Sequence, residues 1–154
     1  MIAMNDGRAM PRLGLGTWPM DDREAEAAVA EAIELGYRMV DTAARYGNER
    51  GVGRAVAASR VPREELFVVT KLRGSQQGDR EALEGFEESL ERLGLEYVDL
   101  YLIHWPLPAL DRYVASWRAF VELRERGLAR SIGVSTSRPT TSSASSARPA
   151  SCPP

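Results

Sequence analysis

The sequence predicts a parallel α/β fold, either a doubly wound sheet or a (β/α)₈ barrel, and three observations carry the prediction. Strand-like and helix-like runs alternate in units of about 30 residues. Each strand-like run ends at, or within one residue of, a polar or ionisable residue, which is where both folds place ligands. Leu66-Phe67-Val68-Val69-Thr70-Lys71 is apolar until its end, as expected of a strand covered on both faces.

The elements follow in order. Ile2 to Met4 and Arg8 to Met10 flank Asn5-Asp6-Gly7, a turn signal, so a small hairpin precedes the main fold. Arg12 to Trp18 reads as the first core strand, with Gly14 and Gly16 where little room is left inside. Asp21 and Glu24 have capping-box spacing and start a helix to Leu35, with Ala25, Val29, Ala32 and Ile33 on one face and Gly36 closing it. Arg38-Met39-Val40 is a second strand ending at Asp41, and its loop runs through Gly47 into a helix from Glu49 to Ser59, which Pro62 stops. Leu66 to Lys71 is the third strand. Asp79 to Leu93 is a helix with Leu83, Phe86, Leu90 and Leu93 inward and Gly94 as its stop. Tyr97 to Ile103 is the fourth strand, Leu110 to Arg126 a helix with Tyr113, Val114, Trp117, Phe120 and Val121 inward, and Arg130 to Val134 the fifth strand.

With 154 residues, 44% hydrophobic and 27% charged, the chain is long enough for one cored domain. A net charge of -2 argues against a nucleic-acid partner, and no apolar run is long enough to span a membrane. No basic-then-apolar leader opens the sequence, and the single cysteine, Cys152, permits no intrachain disulfide, so a cytoplasmic location is expected. No Gly-x-Gly-x-x-Gly opens a helix after a strand, which discounts a Rossmann fingerprint.

Four residues fall at or just beyond strand ends: Asp41, Tyr46, Lys71 and His104, the only histidine. A phenol is a poor proton donor near neutrality unless something stabilises its phenolate. A buried ammonium at Lys71 would do so, Asp41 would hold that ammonium, and a neutral His104 could hydrogen-bond a substrate oxygen. Each has a plain structural reading: a cap at Asp41, an exposed strand end at Lys71, packing at Tyr46, a structural hydrogen bond at His104. Trp18 and Trp105 could equally be core or rim aromatics. Their common position at successive strand ends is what unites the four. With no metal cluster and no nucleophile motif, hydride reduction of a carbonyl with an external cofactor fits better than hydrolysis.

Leu13-Gly14-Leu15-Gly16-Thr17-Trp18, Val40-Asp41-Thr42-Ala43 with Tyr46-Gly47-Asn48-Glu49, Thr70-Lys71, Tyr101-Leu102-Ile103-His104-Trp105-Pro106 and Ser131-Ile132-Gly133-Val134-Ser135 resemble the aldo-keto reductase family. The likeness is to bacterial members of the 2,5-diketo-gluconate reductase type and covers about residues 2 to 135. It implies a (β/α)₈ TIM barrel, here a partial one with an N-terminal hairpin, five strands and four helices, that binds NADPH and reduces a small-molecule carbonyl. By resemblance Tyr46 is the general acid, tuned by Lys71 and Asp41, and His104 orients the carbonyl. Gly16, Thr17, Trp18, Asp41 and Ser135 would lie along the cofactor, and Trp18 and Trp105 would wall the substrate pocket beside Tyr46 and His104. Two departures stand out: Arg73 where a tryptophan is frequent, and Thr136 in place of the asparagine expected after Ser135.

Residues 135–154 break the pattern, with seven Ser, three Thr and four Pro and no Leu, Ile, Val, aromatic or acidic residue. Such a tail is expected to be disordered. A choice of synonymous codons from Thr136 onward reads, one frame over, as a family-like continuation that begins Asn-Phe and enters an amphipathic helix. The tail is therefore read as out of frame, following a barrel portion at 1–134. A complete barrel needs eight strands and about 250 residues, so activity is expected to be impaired or absent in this chain. The alternatives are a non-catalytic half-barrel fragment, either inactive or associating with itself or another barrel, where the full-length form would be a monomer, and a different (β/α)₈ enzyme using the same strand ends.

Overall fold

The parallel pattern and its glycine stops resolve, in a computed structural model that describes residues 1–136, into one main sheet backed by helices. Strands β1 (Ile2–Ala3) and β2 (Ala9–Met10) form the antiparallel hairpin. Strands β3 (Leu15–Gly16), β4 (Met39–Asp41), β5 (Phe67–Leu72), β6 (Val98–Ile103) and β7 (Ala129–Val134) form a parallel sheet whose spatial order is the order of the chain. Helices α1 (Asp22–Glu34), α2 (Glu49–Ala58), α3 (Arg80–Leu93) and α4 (Tyr113–Glu125) make the four connections. A doubly wound sheet reverses its strand order at a switch point, whereas a barrel adds each strand beside the last. The sequential order selects the barrel arrangement.

Most boundaries follow the local chemistry. Asp21 Oδ1 accepts from Glu24 N at 2.8 Å and Glu24 Oε2 from Asp21 N at 2.9 Å, the reciprocal capping box. Gly94 ends α3 in the left-handed region, at φ 64°. Two boundaries differ from the sequence reading by more than one residue. The first core strand is two residues rather than Arg12 to Trp18, because β4 offers partners only to Leu15 and Gly16. Thr17 adds one amide bond to Asp41 O before Asn48 takes its carbonyl and turns the chain away. The fourth helix begins at Tyr113, not Leu110, since Pro108–Leu110 is a 3₁₀ turn followed by Asp111 at φ 47°. Val121 is only half-buried, while Leu123 is fully buried in its stead. The expected tail disorder and Cys152 fall at 137–154, outside the described residues, as does most of the out-of-frame reading.

Strand alternation divides the sheet into two faces. Val40, Val68, Leu72, Tyr101 and Ile103 lie under the helices, and Tyr101 packs between Phe86 and Phe120 with ring centroids at 4.7 and 4.4 Å. The same layer holds a buried carboxylate: Thr70 Oγ1 donates to Glu49 Oε1 at 2.6 Å and Arg92 Nε to Oε2 at 2.7 Å, tying α2, β5 and α3 together. The opposite face carries Asp41, Val69, Leu100 and Ser131 in register. Ser131 Oγ donates to Asp6 Oδ2 at 2.6 Å, which fastens the hairpin turn to this inner face.

Close helix approach depends on two glycines of α2. A Cβ at Gly51 would lie 1.9 Å from the carbonyl oxygen of Asp22, and one at Gly53 would lie 2.1 Å from that of Leu93. Asp22 Oδ1 also accepts from Gly51 N at 2.7 Å, so the first turn of α1 caps α2 from outside. Gly53→Ala is expected to destabilise the fold by about 1–3 kcal/mol through overpacking against backbone. A urea midpoint unchanged by the substitution would show that α2 and α3 can separate freely.

Candidate active site

An ammonium buried in an apolar interior is tolerated only with an anion and further acceptors close by. Lys71, near the end of β5 and 5% exposed, donates from Nζ to Asp41 Oδ1 at 2.5 Å and to the Thr42 carbonyl at 2.9 Å. Asp41 ends β4 on the neighbouring strand, so parallel pairing itself delivers the counter-ion. Lys71 Nζ also stands 5.2 Å from the centroid of the Tyr46 ring. The Tyr46 ring meets His104 edge-on at 5.6 Å, and His104 stacks flat on Trp105 at 3.9 Å. Trp18, 63% exposed, lies on the other side of Tyr46 at 5.3 Å. Asp41, Tyr46, Lys71 and His104 are thus brought together at the carboxyl ends of three adjacent strands, with the two tryptophans flanking them.

His104 is anchored through its amide, which donates to Leu72 O at 3.3 Å. Burial lowers its pKa from the ordinary 6.5, the Lys71 charge adds to that effect, Asp41 opposes it and Arg45 lowers it further. The ring is therefore neutral near pH 7, and its Nδ1 is buried with no hydrogen-bond partner among the described residues. A neutral imidazole in that position can offer one hydrogen bond to an oxygen placed above Tyr46.

The residues matched to a cofactor differ in what they expose. A Cβ at Gly16 would meet nothing within 4 Å, which contradicts the reading of both glycines as filling tight space; only Gly14 does so, against Met39 at 2.6 Å. Gly16 stands beside Asp41 in register at the open end of the sheet, where a flat ligand can approach the backbone. Ser135 holds its amide on Ile103 O at 2.8 Å and keeps its hydroxyl near Thr136 Oγ1 at 3.4 Å. Thr17 is fully buried, its hydroxyl near Asp41 O at 3.3 Å and Asn48 Oδ1 at 3.4 Å. It holds the turn rather than opening onto the cleft.

Sequence reasoning assigned no task to four residues that shape the cleft. Asn48 sits at the N-cap of α2, yet its side chain makes no cap bond. Its Oδ1 accepts from Thr42 Oγ1 at 2.8 Å, and its Nδ2 donates to the Thr17 and Met20 carbonyls at 2.9 Å each. This one amide joins the loops that carry Trp18 and Tyr46. Gln77 Nε2 donates to the Trp105 carbonyl at 2.5 Å, Arg73 donates to the Ala44 carbonyl, and the Arg45 guanidinium lies 5.2 Å over the Trp105 ring. The Asn48 bonds join segments up to 31 residues apart, which no local pattern reports; Arg73 stood out only as a departure from the family motif, and no local signal marks Gln77 or Arg45.

The sequence profile described as the Aldo/keto reductase family matches residues 12–150. An aldo-keto reductase of Mycobacterium avium (strain 104) is 59% identical over 134 residues, which is 87% of this chain and 47% of that protein. A Yersinia pestis protein named methylglyoxal reductase DkgA is 54% identical over 134 residues, 87% of this chain and 48% of its own. Among solved structures, the aldo/keto reductase from Brucella melitensis superposes with TM-score 0.95 at 45% identity, over 99% of this chain and 59% of that one. The Bombyx mori aldo-keto reductase in complex with NADP gives 0.88 at 39%, over 99% and 55%. The chain spans about half the length of the curated relatives it matches. Its five-stranded sheet is accordingly part of a (β/α)₈ barrel, and the chain belongs to the aldo/keto reductase family.

Proposed function

We propose that this chain carries the carbonyl-reducing side of an NADPH-dependent aldo-keto reductase site. The observation that supports it best is the buried Lys71–Asp41 pair set against the Tyr46 ring, with a neutral His104 beside it. In this reading Tyr46 Oη donates a proton to the carbonyl oxygen as negative charge develops there. Lys71 stabilises the resulting phenolate, Asp41 keeps Lys71 charged and in place, and His104 holds the carbonyl oxygen by a hydrogen bond. When bound, NADPH supplies the hydride. Gly16, Trp18, Asp41 and Ser135 would border its nicotinamide end, with Thr17 bracing the turn that carries Gly16 and Trp18. The Bombyx mori relative, solved with NADP, supports this cofactor.

Trp18 and Trp105 wall the pocket for a small aliphatic or sugar-derived carbonyl, a class supported by the name of the Yersinia pestis relative. In this reading the enzyme is cytoplasmic and monomeric at full length, and by family resemblance most of its adenosine-phosphate grip would come from barrel segments beyond those described. Residues 1–134 form the barrel portion, and 135–154 are read out of frame. A self-associating half-barrel is a second reading, because β3 and β7 are the end strands of the described sheet.

Resequencing the coding DNA from the Gly133 codon tests the tail, and an in-frame continuation with further barrel strands is expected. In the frame-restored protein, Tyr46→Phe is expected to lower kcat for methylglyoxal by about 10²–10⁴-fold with NADPH binding unchanged; an unaltered kcat removes Tyr46 from the proton-donating role. The 154-residue chain itself is expected to show no saturable NADPH binding at micromolar cofactor. Strong quenching of its tryptophan fluorescence by NADPH would overturn that, and a dimeric mass on gel filtration would favour self-association.

His104 gives a pH test through one resolved imidazole. Its folded pKa lies below the ordinary 6.5, so as pH falls the unfolded chain takes up the proton first. Its contribution to stability is present above about pH 6.5 and is lost as pH drops through the lower, folded value. An NMR titration of the Cε1 proton should give a midpoint below 6.5, and one at or above it would contradict the buried, neutral ring.

A further inference from the structure

A cavity lined by Trp105 carries positive charge that the reduction does not use. Arg45, exposed and one residue before Tyr46, holds its guanidinium 5.2 Å from the centroid of Trp105, whose ring stacks on His104 at 3.9 Å. Arg73, two residues after Lys71, is braced on the carbonyl of Ala44, the residue before Arg45, by Nε at 2.8 Å and also by Nη2. Both arginines line one cavity of about 470 Å³ with Trp105 and Leu107, and no acidic residue lines it. Among the described residues neither guanidinium forms an ion pair, although Arg54, Arg63, Arg80, Arg92 and Arg112 all do.

Two cations lining one cavity without a counter-ion repel each other, and an anion between them relieves that repulsion. Their restraint matters as well. Stacking on an indole face and bracing on a backbone carbonyl reduce the rotamer freedom that two exposed arginines would otherwise lose on binding.

Building on the proposed carbonyl reduction, we propose that Arg45 and Arg73 are specificity-determining residues that seat the carboxylate of a short oxo acid. With its carbonyl oxygen at Tyr46 and His104, such a substrate extends along the Trp105 ring and places its carboxylate between the two guanidiniums. Arginine is suited to this task because its planar fork matches carboxylate oxygens. A neutral carbonyl of the same length leaves the pair unsatisfied, so discrimination comes from charge and weakens with salt.

The test reads binding rather than turnover, so its result is independent of whether the chain reduces anything. Succinic semialdehyde and butanal, matched in length and differing in the carboxylate, are titrated into the ¹⁵N-labelled 154-residue chain while the arginine Nε–H resonances are followed. Saturable shifts at Arg45 and Arg73 are expected with succinic semialdehyde, at an apparent Kd at least tenfold below that of butanal, and the gap should narrow at high salt. Arg45→Met should abolish the preference, Arg45→Lys should restore part of it, and far-UV circular dichroism reports whether each variant keeps the fold. Equal responses to the two aldehydes, no response at either arginine, or an unchanged preference in a folded Arg45→Met chain would overturn the proposal. Glyceraldehyde 3-phosphate serves as a third ligand, and binding tighter than that of succinic semialdehyde would overturn the assignment to carboxylate.

Discussion

The charge at Lys71 is the constraint from which the site is built. An ammonium 5% exposed at the end of a covered strand must find its anion on a neighbouring element. Here that anion is Asp41, the last residue of the adjacent parallel strand, with the Thr42 carbonyl as a second acceptor. Because the pair spans β4 and β5, a one-residue slip in register would turn Asp41 toward the helices and leave Lys71 buried without its partner. The pairing of the two strands, the position of Tyr46 above them and the chemistry proposed for the cleft therefore share one cause.

The two faces of β5 show how the barrel scaffold serves that pair. Lys71 points into the cleft, while its neighbour Thr70 points under the helices to the buried carboxylate of Glu49, which Arg92 neutralises. Glu49 opens α2, and Asn48 just before it closes the Thr17 and Thr42 loops. The start of one helix thus connects the outer core to the loops that carry Trp18 and Tyr46. The close seating of that helix relies on Gly51 and Gly53, where backbone of α1 and α3 occupies the space of a side chain. Packing distant from the cleft in this way sets the geometry within it.

Much of this was legible in the chain alone. The alternation of elements, the capping box at Asp21 and Glu24, and the strand-end positions of Asp41, Lys71 and His104 are local or periodic features, and the family motifs carry most of the candidate site. Local patterning left open whether the sheet was doubly wound or barrel-like, since hydrophobic periodicity reports which face is covered and not which strand lies alongside; strand order answers that question. The same limit explains the overlong first strand. A strand is as long as its neighbour permits, and β4 accepts only two partners there.

What the sequence by itself determined is the set of chemical groups and the elements that carry them, because propensity, capping and periodicity act over a few residues. What only the tertiary structure decided is which groups meet. Asn48 became a tie between loops, Gly16 an open edge instead of a tight fit, and Arg45 and Arg73 neighbours across one cavity. These outcomes depend on contacts between segments tens of residues apart, and such contacts leave no periodic trace in the chain.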